Sequence, residues 1–391
     1  MKMKLAEICE VYSGYALKEF NNALTGRPVI KIGNILYDGS LSLKECQYTT
    51  ESVNEKYLSK KGDIFIALSG ATTGKIGIMH THTQYVINQR VGIVRRKDIA
   101  VPEKYIKYFL IKNTEKILQD AAGCAQPNVS PKQIAQYELP NHNKADMNRI
   151  SETLDVISDI IAKRKQELQT LDDLVKARFV EMFGDPNDTK VQSNNRHKIG
   201  ELCDVTKLAG FEFTEYINYQ DSGEIIMLRG LNCKKGKLVL DNVKYIDKET
   251  SLKLPRSRLY YGDILMTYAG TIGDVAMVDE DDKYHLAPNV AKISIVEKEK
   301  VNPIFLIHLF MYSHDYIMTF ASQVAQASIN MQKIRDFEYI IPCMEEQNKF
   351  ADFVQEVDKS KFVVQKALIN TLVLDSLIYG HNQGEYKNDK W

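Results

Sequence analysis

Gly62-Asp63-Ile64-Phe65-Ile66-Ala67-Leu68-Ser69-Gly70 returns two hundred residues later as Gly262-Asp263-Ile264-Leu265-Met266-Thr267-Tyr268-Ala269-Gly270. Each copy reads as a buried strand entered and left through glycine turns. Moving outward, other landmarks recur in the same order. Ile30-Lys31-Ile32-Gly33-Asn34 aligns with Leu228-Arg229-Gly230-Leu231-Asn232, and Gly39 with Gly236. Downstream, Ala125-Gln126 returns as Ala325-Gln326 and Ile134 as Ile334, while Ile150, Leu154, Ile157 and Leu168 return as Phe350, Val354, Val357 and Leu368. One order of landmarks at one spacing marks a tandem duplication.

Each repeat opens β-rich, with short apolar runs such as Val29–Ile32, Ile64–Leu68 and Val91–Val94 and a helical segment around Lys104–Gln119. Each closes on a long helix, because apolar positions then step by three and four. The pattern predicts an α+β chain: a β-rich domain at 1–140, a long helix at 141–184, a linker at 185–197, a second β-rich domain at 198–342, a second long helix at 343–380 and a polar tail at 381–391. Gly184-Asp185-Pro186-Asn187 supplies the stop chemistry for the first helix, and Gly380 closes the second. The stripes are Leu154, Ile157, Ile161, Leu168 and Leu171 in the first helix, and Val354, Val357, Val364 and Leu368 in the second. Stripes this long predict two helices packed as an antiparallel coiled coil between the β-rich domains, a pseudo-twofold repeat with the helices as spacer. The plainer alternative packs each helix only on its own domain.

Composition narrows the function. Lys+Arg and Asp+Glu both number 51, which argues against a protein that coats nucleic acid by charge alone. The balance is local: residues 1–140 carry 19 basic against 13 acidic side chains, and residues 196–342 carry 18 against 20. No run approaches the ~18 apolar residues of a membrane span, and Met1-Lys2-Met3-Lys4 leads into Leu5-Ala6-Glu7 without a signal-peptide core. Six scattered cysteines without a C-x-x-C pair speak against a zinc ribbon or a disulfide framework and suit a reducing cytoplasm.

The order β-rich domain, long helix, β-rich domain, long helix resembles the specificity subunit of type I restriction-modification systems. The resemblance runs from about Leu5 to Gly380. It rests on the Gly-Asp-Ile run with its following glycines (Gly62 to Gly74, Gly262 to Gly273), on Ala-Gln followed by Asn and then Pro (Ala125 to Pro140, Ala325 to Pro342), and on the helix patterns. It implies two target-recognition domains, each reading one half of a split site in double-stranded DNA, with the helices setting the gap. It also implies two DNA methyltransferase subunits held by the helices and an assembly able to recruit restriction-translocase subunits. S-adenosylmethionine, ATP and Mg would then belong to the partners, with no cofactor or metal in this chain. The loops differ at one point, Gln126-Pro127-Asn128 against Gln326-Ala327-Ser328-Ile329-Asn330.

Base reading favours Arg or Lys on guanine and Asn or Gln on adenine, since these pair bidentately in the major groove. Matched positions carry those types: Lys31 with Arg229, Asn34 with Asn232, Gln89 with Asn289, Gln126 with Gln326. Asn128, Asn330, Tyr268 and Thr271 complete the candidate set. Asn34 and Asn232 can equally cap turns. Arg90, Arg95, Arg96, Lys234, Lys235, Arg256 and Arg258 are candidate phosphate contacts, or ordinary surface charges. Ser69-Gly70-Ala71-Thr72-Thr73-Gly74-Lys75-Ile76 looks like a phosphate loop but lacks the first glycine and the final hydroxyl. Two readings remain: a tight turn, or a DNA approach by Ser69, Thr72, Thr73 and Lys75.

Catalysis finds no footing in the sequence. No Pro-Pro pair exists for an adenine methyltransferase pocket, no H-E-x-x-H occurs, and Asp279-Glu280-Asp281-Asp282 reads as a solvated turn. The expectation is a non-catalytic DNA-recognition subunit. A fused restriction-methylation enzyme and a free-standing DNA-binding regulator are the alternatives.

Overall fold

The computed structural model describes residues 2–122, 127–188, 195–322 and 327–379, with side chains as far as Val373. The chain divides into two compact units, Met1–Lys165 with Ala367–Trp391, and Gln166–Lys366. In the first, Cys9–Ser13, Val91–Arg96, Ile64–Ala67 and Ile76–Ile78 form an antiparallel sheet in that order. All four residues of Ile64–Ala67 are buried. Ile64 and Ile66 face a core with Ile106 and Leu110 of the helix Glu103–Lys112. Phe65 and Ala67 face a second core with Ile30, Ile35 and Ile87. A strand with period two that meets apolar cores on both faces must be apolar throughout. A three-stranded sheet, Gln47–Thr49, Arg27–Ile30 and Val86–Ile87, builds that second core. Lys2–Lys4 pairs with Glu138–Pro140, tying the start of the chain to the residues just before the long helix.

The second unit repeats the plan. Cys203–Lys207, Val290–Ile295, Ile264–Thr267 and Val275–Met277 form the four-stranded sheet. Lys244–Ile246, Ile225–Leu228 and Tyr284–Leu286 form the three-stranded one. Arg196–Lys198 pairs with Glu338–Ile340. A small hairpin, Cys233–Lys234 with Lys237–Leu238, is added.

The segment expected as one helix around Lys104–Gln119 is two, Glu103–Lys112 and Thr114–Ala121. Asn113 interrupts it: its Nδ2 donates to the Phe109 carbonyl at 2.7 Å, offering the backbone a local partner that ends the first helix.

The first long helix is Lys144–Phe183, 40 residues and about 60 Å at 1.5 Å per residue. It stops at Gly184, whose φ of +83° needs a residue without Cβ. The second is Met344–Tyr379. Within the second unit the two run antiparallel and pack together. The Phe179 ring meets Phe350 at 5.3 Å, while Asp172, two turns earlier, pairs with Lys361 at 2.6 Å, three turns later. The apolar stripe does more than form a helix seam. Leu154 packs with Tyr108 of the first β-rich domain, and Val354 and Val357 join the core of the second with Phe305 and Phe310. Ile157, Ile161 and Leu171 are half-buried; Leu168, Val364 and Leu368 are buried. Among the described residues, no helix is long and apolar enough to cross a membrane.

Candidate nucleic-acid interface

At the end of Ile64–Ala67 three chain segments converge. The Leu68 N–H donates to the Arg90 carbonyl at 2.9 Å, and the Leu68 carbonyl accepts from the Val129 N–H at 2.9 Å. Ser69 bridges Asn128. Gly14 sits against the backbone of Ile87 and Asn88, where a Cβ would come within 2.4 Å of two carbonyl oxygens. That close approach brings Ser13 alongside Gln89 and Arg90. The result is an open concavity of about 640 Å³ whose lining includes Ser13, Ser69, Gln89, Arg90, Asn128 and Ser130. The second repeat builds the same junction: Tyr268 N–H to Asn289 O at 3.0 Å, Ile329 N–H to Tyr268 O at 2.9 Å, and a bridge between Ala269 and Ser328.

The backbone register corrects one pairing read from the sequence and fixes the equivalent of a second position. Ala67 opposes Val91 and Thr267 opposes Val290, so Asn289 corresponds to Arg90 and not to Gln89. Pro288 stands at the Gln89 position, because the glycine turn between the central strand and the strand after it is one residue shorter in the second repeat. Asn330 corresponds to Ser130, not Asn128, because both cap the helix that follows. Ser130 accepts from the Gln133 N–H at 3.2 Å, and Asn330 from the Lys333 N–H at 2.9 Å.

Other candidates are engaged in holding the fold. Asn34 Oδ1 accepts from the Lys31 N–H at 2.8 Å and its Nδ2 donates to the Ser42 carbonyl at 2.9 Å. Asn232, fully buried, accepts from the Arg229 N–H at 3.0 Å and donates to the Val239 carbonyl at 2.7 Å. Both are turn residues with no amide edge left for a base. Thr73 donates to the Gly70 carbonyl at 2.7 Å. Lys31 reaches Gln47 and lies 3.5 Å from the Phe20 ring centre, and Arg229 donates to the Asn242 carbonyl. Arg95 is locked onto Asp63, Arg96 onto Glu103 at 3.0 Å, Arg256 onto Thr206 at 3.2 Å, and Arg258 onto Asp282. Arg95 is thereby tied into the scaffold, whereas Arg256 is exposed and holds only a neutral hydroxyl. The glycine loop leads into a strand, Ile76–Ile78, where a phosphate loop would lead into a helix. Lys75 lies 3.6 Å from the ring centre of exposed Tyr37.

What stays unengaged gathers at the strand-end junctions. Gln89, Arg90 and Asn128 are exposed and their side chains make no hydrogen bond among the described residues; Asn289 matches them in the second repeat. Among the described residues, Ser69 Oγ and Thr72 Oγ1 are buried without a partner, as are Arg229 Nε, Ser257 Oγ and His285 Nε2 away from this junction. Lys234, Lys235 and Thr271 lie outside these junctions, on the small hairpin and the glycine turn. Gln126 and Gln326 lie outside the described residues. Ser13 and Lys207, which end the first strands of the two sheets, were not singled out by sequence. No composition or spacing signal distinguishes them; only the strand register places them at the junction.

Two junctions of one backbone build mark a duplicated module. The family model described as type I restriction modification DNA specificity domain matches residues 1–171 and 194–373. The chain belongs to this family and is a specificity subunit, a non-catalytic component whose role is DNA target recognition within a restriction-modification complex. It is 23% identical over 398 residues to the specificity subunit of the type I restriction enzyme EcoBI of Escherichia coli, covering 95% of this chain and 82% of that one. The crystal structure of the S subunit of a type I restriction-modification system from M. genitalium shares the fold at a TM-score of 0.53 and 12% identity, over 97% of this chain and 94% of that one. A chain from a structural study of complex assembly and conformational transition in the type I system matches at a TM-score of 0.55 and 12% identity, over 97% and 96%.

Proposed function

We propose that the chain reads a bipartite site in double-stranded DNA, one half with each strand-end junction, and directs two DNA methyltransferase subunits to it. The observation that carries this is the contrast in hydrogen bonding. Gln89, Arg90 and Asn128 are unengaged where three segments meet, while Asn34, Asn232 and Arg95 are each bonded within the fold. Side chains that specify sequence must keep their edges free for base edges in the groove.

Partner docking is supported by the long helices. Val156, Phe362, Val363 and Ile369 are each more than half exposed, apolar surface that a subunit held on the helices would cover. S-adenosylmethionine, ATP and Mg belong on the methyltransferase and restriction-translocase partners, and the complex acts in the cytoplasm. The test is an exchange of residues 1–140 for the same domain of a relative, read by sequencing methylated sites in cells. One half of the methylated motif should change while the other stays. Change in both halves, or in neither, overturns the modular reading.

A further inference from the structure

The two junctions share a backbone but place their positive charge on opposite sides. In the first repeat the pair of positions is Ser13 and Arg90; in the second, the same two positions hold Lys207 and Asn289. The correspondence follows from strand register. Ser13 opposes Gly92 and Lys207 opposes Ala291, while the Arg90 and Asn289 carbonyls each accept from the N–H of the residue that follows the central strand. One cation is therefore present at each junction, carried by the loop before the last strand in one repeat and by the end of the first strand in the other. Lys207 is exposed, and its Nζ lies 5.5 Å from the ring centre of Tyr268, which occupies the position of Leu68. The Tyr268 hydroxyl in turn accepts from the Asn289 N–H at 3.3 Å, so lysine, ring and asparagine backbone form one connected group.

We propose that Lys207 is a specificity-determining residue of the second junction, donating to the O6/N7 edge of a guanine, and that Arg90 does the same from the opposite side of the first. This rests on the reading of the junctions as half-site readers. A phosphate contact carries no sequence information and gives two repeats no cause to differ where their backbones agree. Here they differ at every junction side chain: Ser13 against Lys207, Leu68 against Tyr268, Ser69 against Ala269, Arg90 against Asn289. A cation beside an unengaged amide is also the pairing that separates guanine from adenine in the major groove.

The test uses cells whose only copy of the chain is wild type, Lys207→Ser, Lys207→Arg or Arg90→Asn, with methylated sites sequenced and protein level followed. Lys207→Ser should relax one position in one half of the motif, with roughly a tenfold to hundredfold loss of discrimination, and leave the other half intact. Arg90→Asn should relax a position in the other half. If Lys207→Ser abolishes methylation outright, Lys207→Arg, which keeps the cation, must restore the original motif. An unchanged motif with Lys207→Ser overturns the proposal, as does loss of methylation that Lys207→Arg does not rescue. A wild-type chain that yields no two-part methylated motif sinks the underlying reading, and is told apart because it fails before any variant is made.

Discussion

Asp63 and Asp263 occupy the same place in the two repeats and are neutralised differently. Each accepts from the N–H three residues before it, Lys60 at 2.7 Å and Tyr260 at 2.9 Å, which closes the turn leading into the central strand. Beyond that they part. Arg95 grips Asp63 with two nitrogens, at 2.8 and 2.6 Å. Ser294 stands at the Arg95 position and donates a single hydroxyl to Asp263 at 2.6 Å. Burial pushes the Asp263 carboxyl above the usual carboxylate range, with the Ser294 and Tyr260 hydrogen bonds and Lys292 offsetting only part of it. The repeated Gly-Asp-Ile run is thus kept for its turn, and the partner of its carboxylate has been free to change. Variation at the strand-end junctions follows the same rule: backbone bonds are common to both copies, side chains are not.

The largest expected effect breaks the first of these arrangements. Arg95→Ala leaves a carboxylate only 2% exposed without its cation, and removing one partner of a buried pair costs about 3–5 kcal/mol. Ser294→Ala removes one hydroxyl from an acid that retains its backbone donor, and about 1–3 kcal/mol follows. Denaturant unfolding of the two variants measures the difference. Equal losses would mean that Arg95 contributes no more than a hydroxyl does.

Acid should separate the repeats next. His308 stands where the first repeat has Tyr108, with its Nδ1 2.7 Å from the Ile304 carbonyl and its ring 5.3 Å from Phe350. Burial lowers its pKa from 6.5 to about 4. The unfolded chain therefore takes up a proton that the folded one refuses, so stability is full above pH 6.5 and declines as pH falls towards 4. Half-buried by area, His308 contributes on the order of 2 kcal/mol to this loss. His285, also held neutral by burial, adds in the same direction. Unfolding midpoints between pH 7 and pH 4 should drop, and His308→Gln should flatten the slope. An unchanged slope would place the acid-sensitive group elsewhere.

The duplication, the long helices and the buried Gly-Asp-Ile strand are legible in sequence because each is carried by a period or a repeated turn. The junction is less so. Between the landmarks the offset drifts from 194 at Cys9 and Cys203 to 200 at Gly62 and Gly262, and it falls to 199 at Val91 and Val290. The glycine spacing, Gly62 to Gly74 against Gly262 to Gly273, already shows one residue fewer, but carrying the offset of 200 past it pairs Gln89 with Asn289 until hydrogen bonds fix the register. Asparagine is ambiguous for a physical reason as well. It has the same donor and acceptor whether it closes a turn or faces a base, and only burial and partners separate Asn34 and Asn232 from Asn128.

That ambiguity yields the smallest expected effect. Asn330 caps the helix Met331–Arg335 and Ser130 caps Pro131–Ala135, so the two side chains do one job. Asn330→Ser substitutes one good cap for another and should change stability by less than about 0.5 kcal/mol, with the methylated motif untouched. Asn128→Ala is the counterpart. Its side chain supports nothing in the fold, so stability should stay level while selectivity in the first half-site weakens. Measuring unfolding and methylated motif for both variants sets a cap against a reader two positions apart in the equivalent loops of the two repeats. A motif altered by Asn330→Ser, or left intact by Asn128→Ala, would reverse the two roles and move the recognition surface off the strand ends onto the helix that follows.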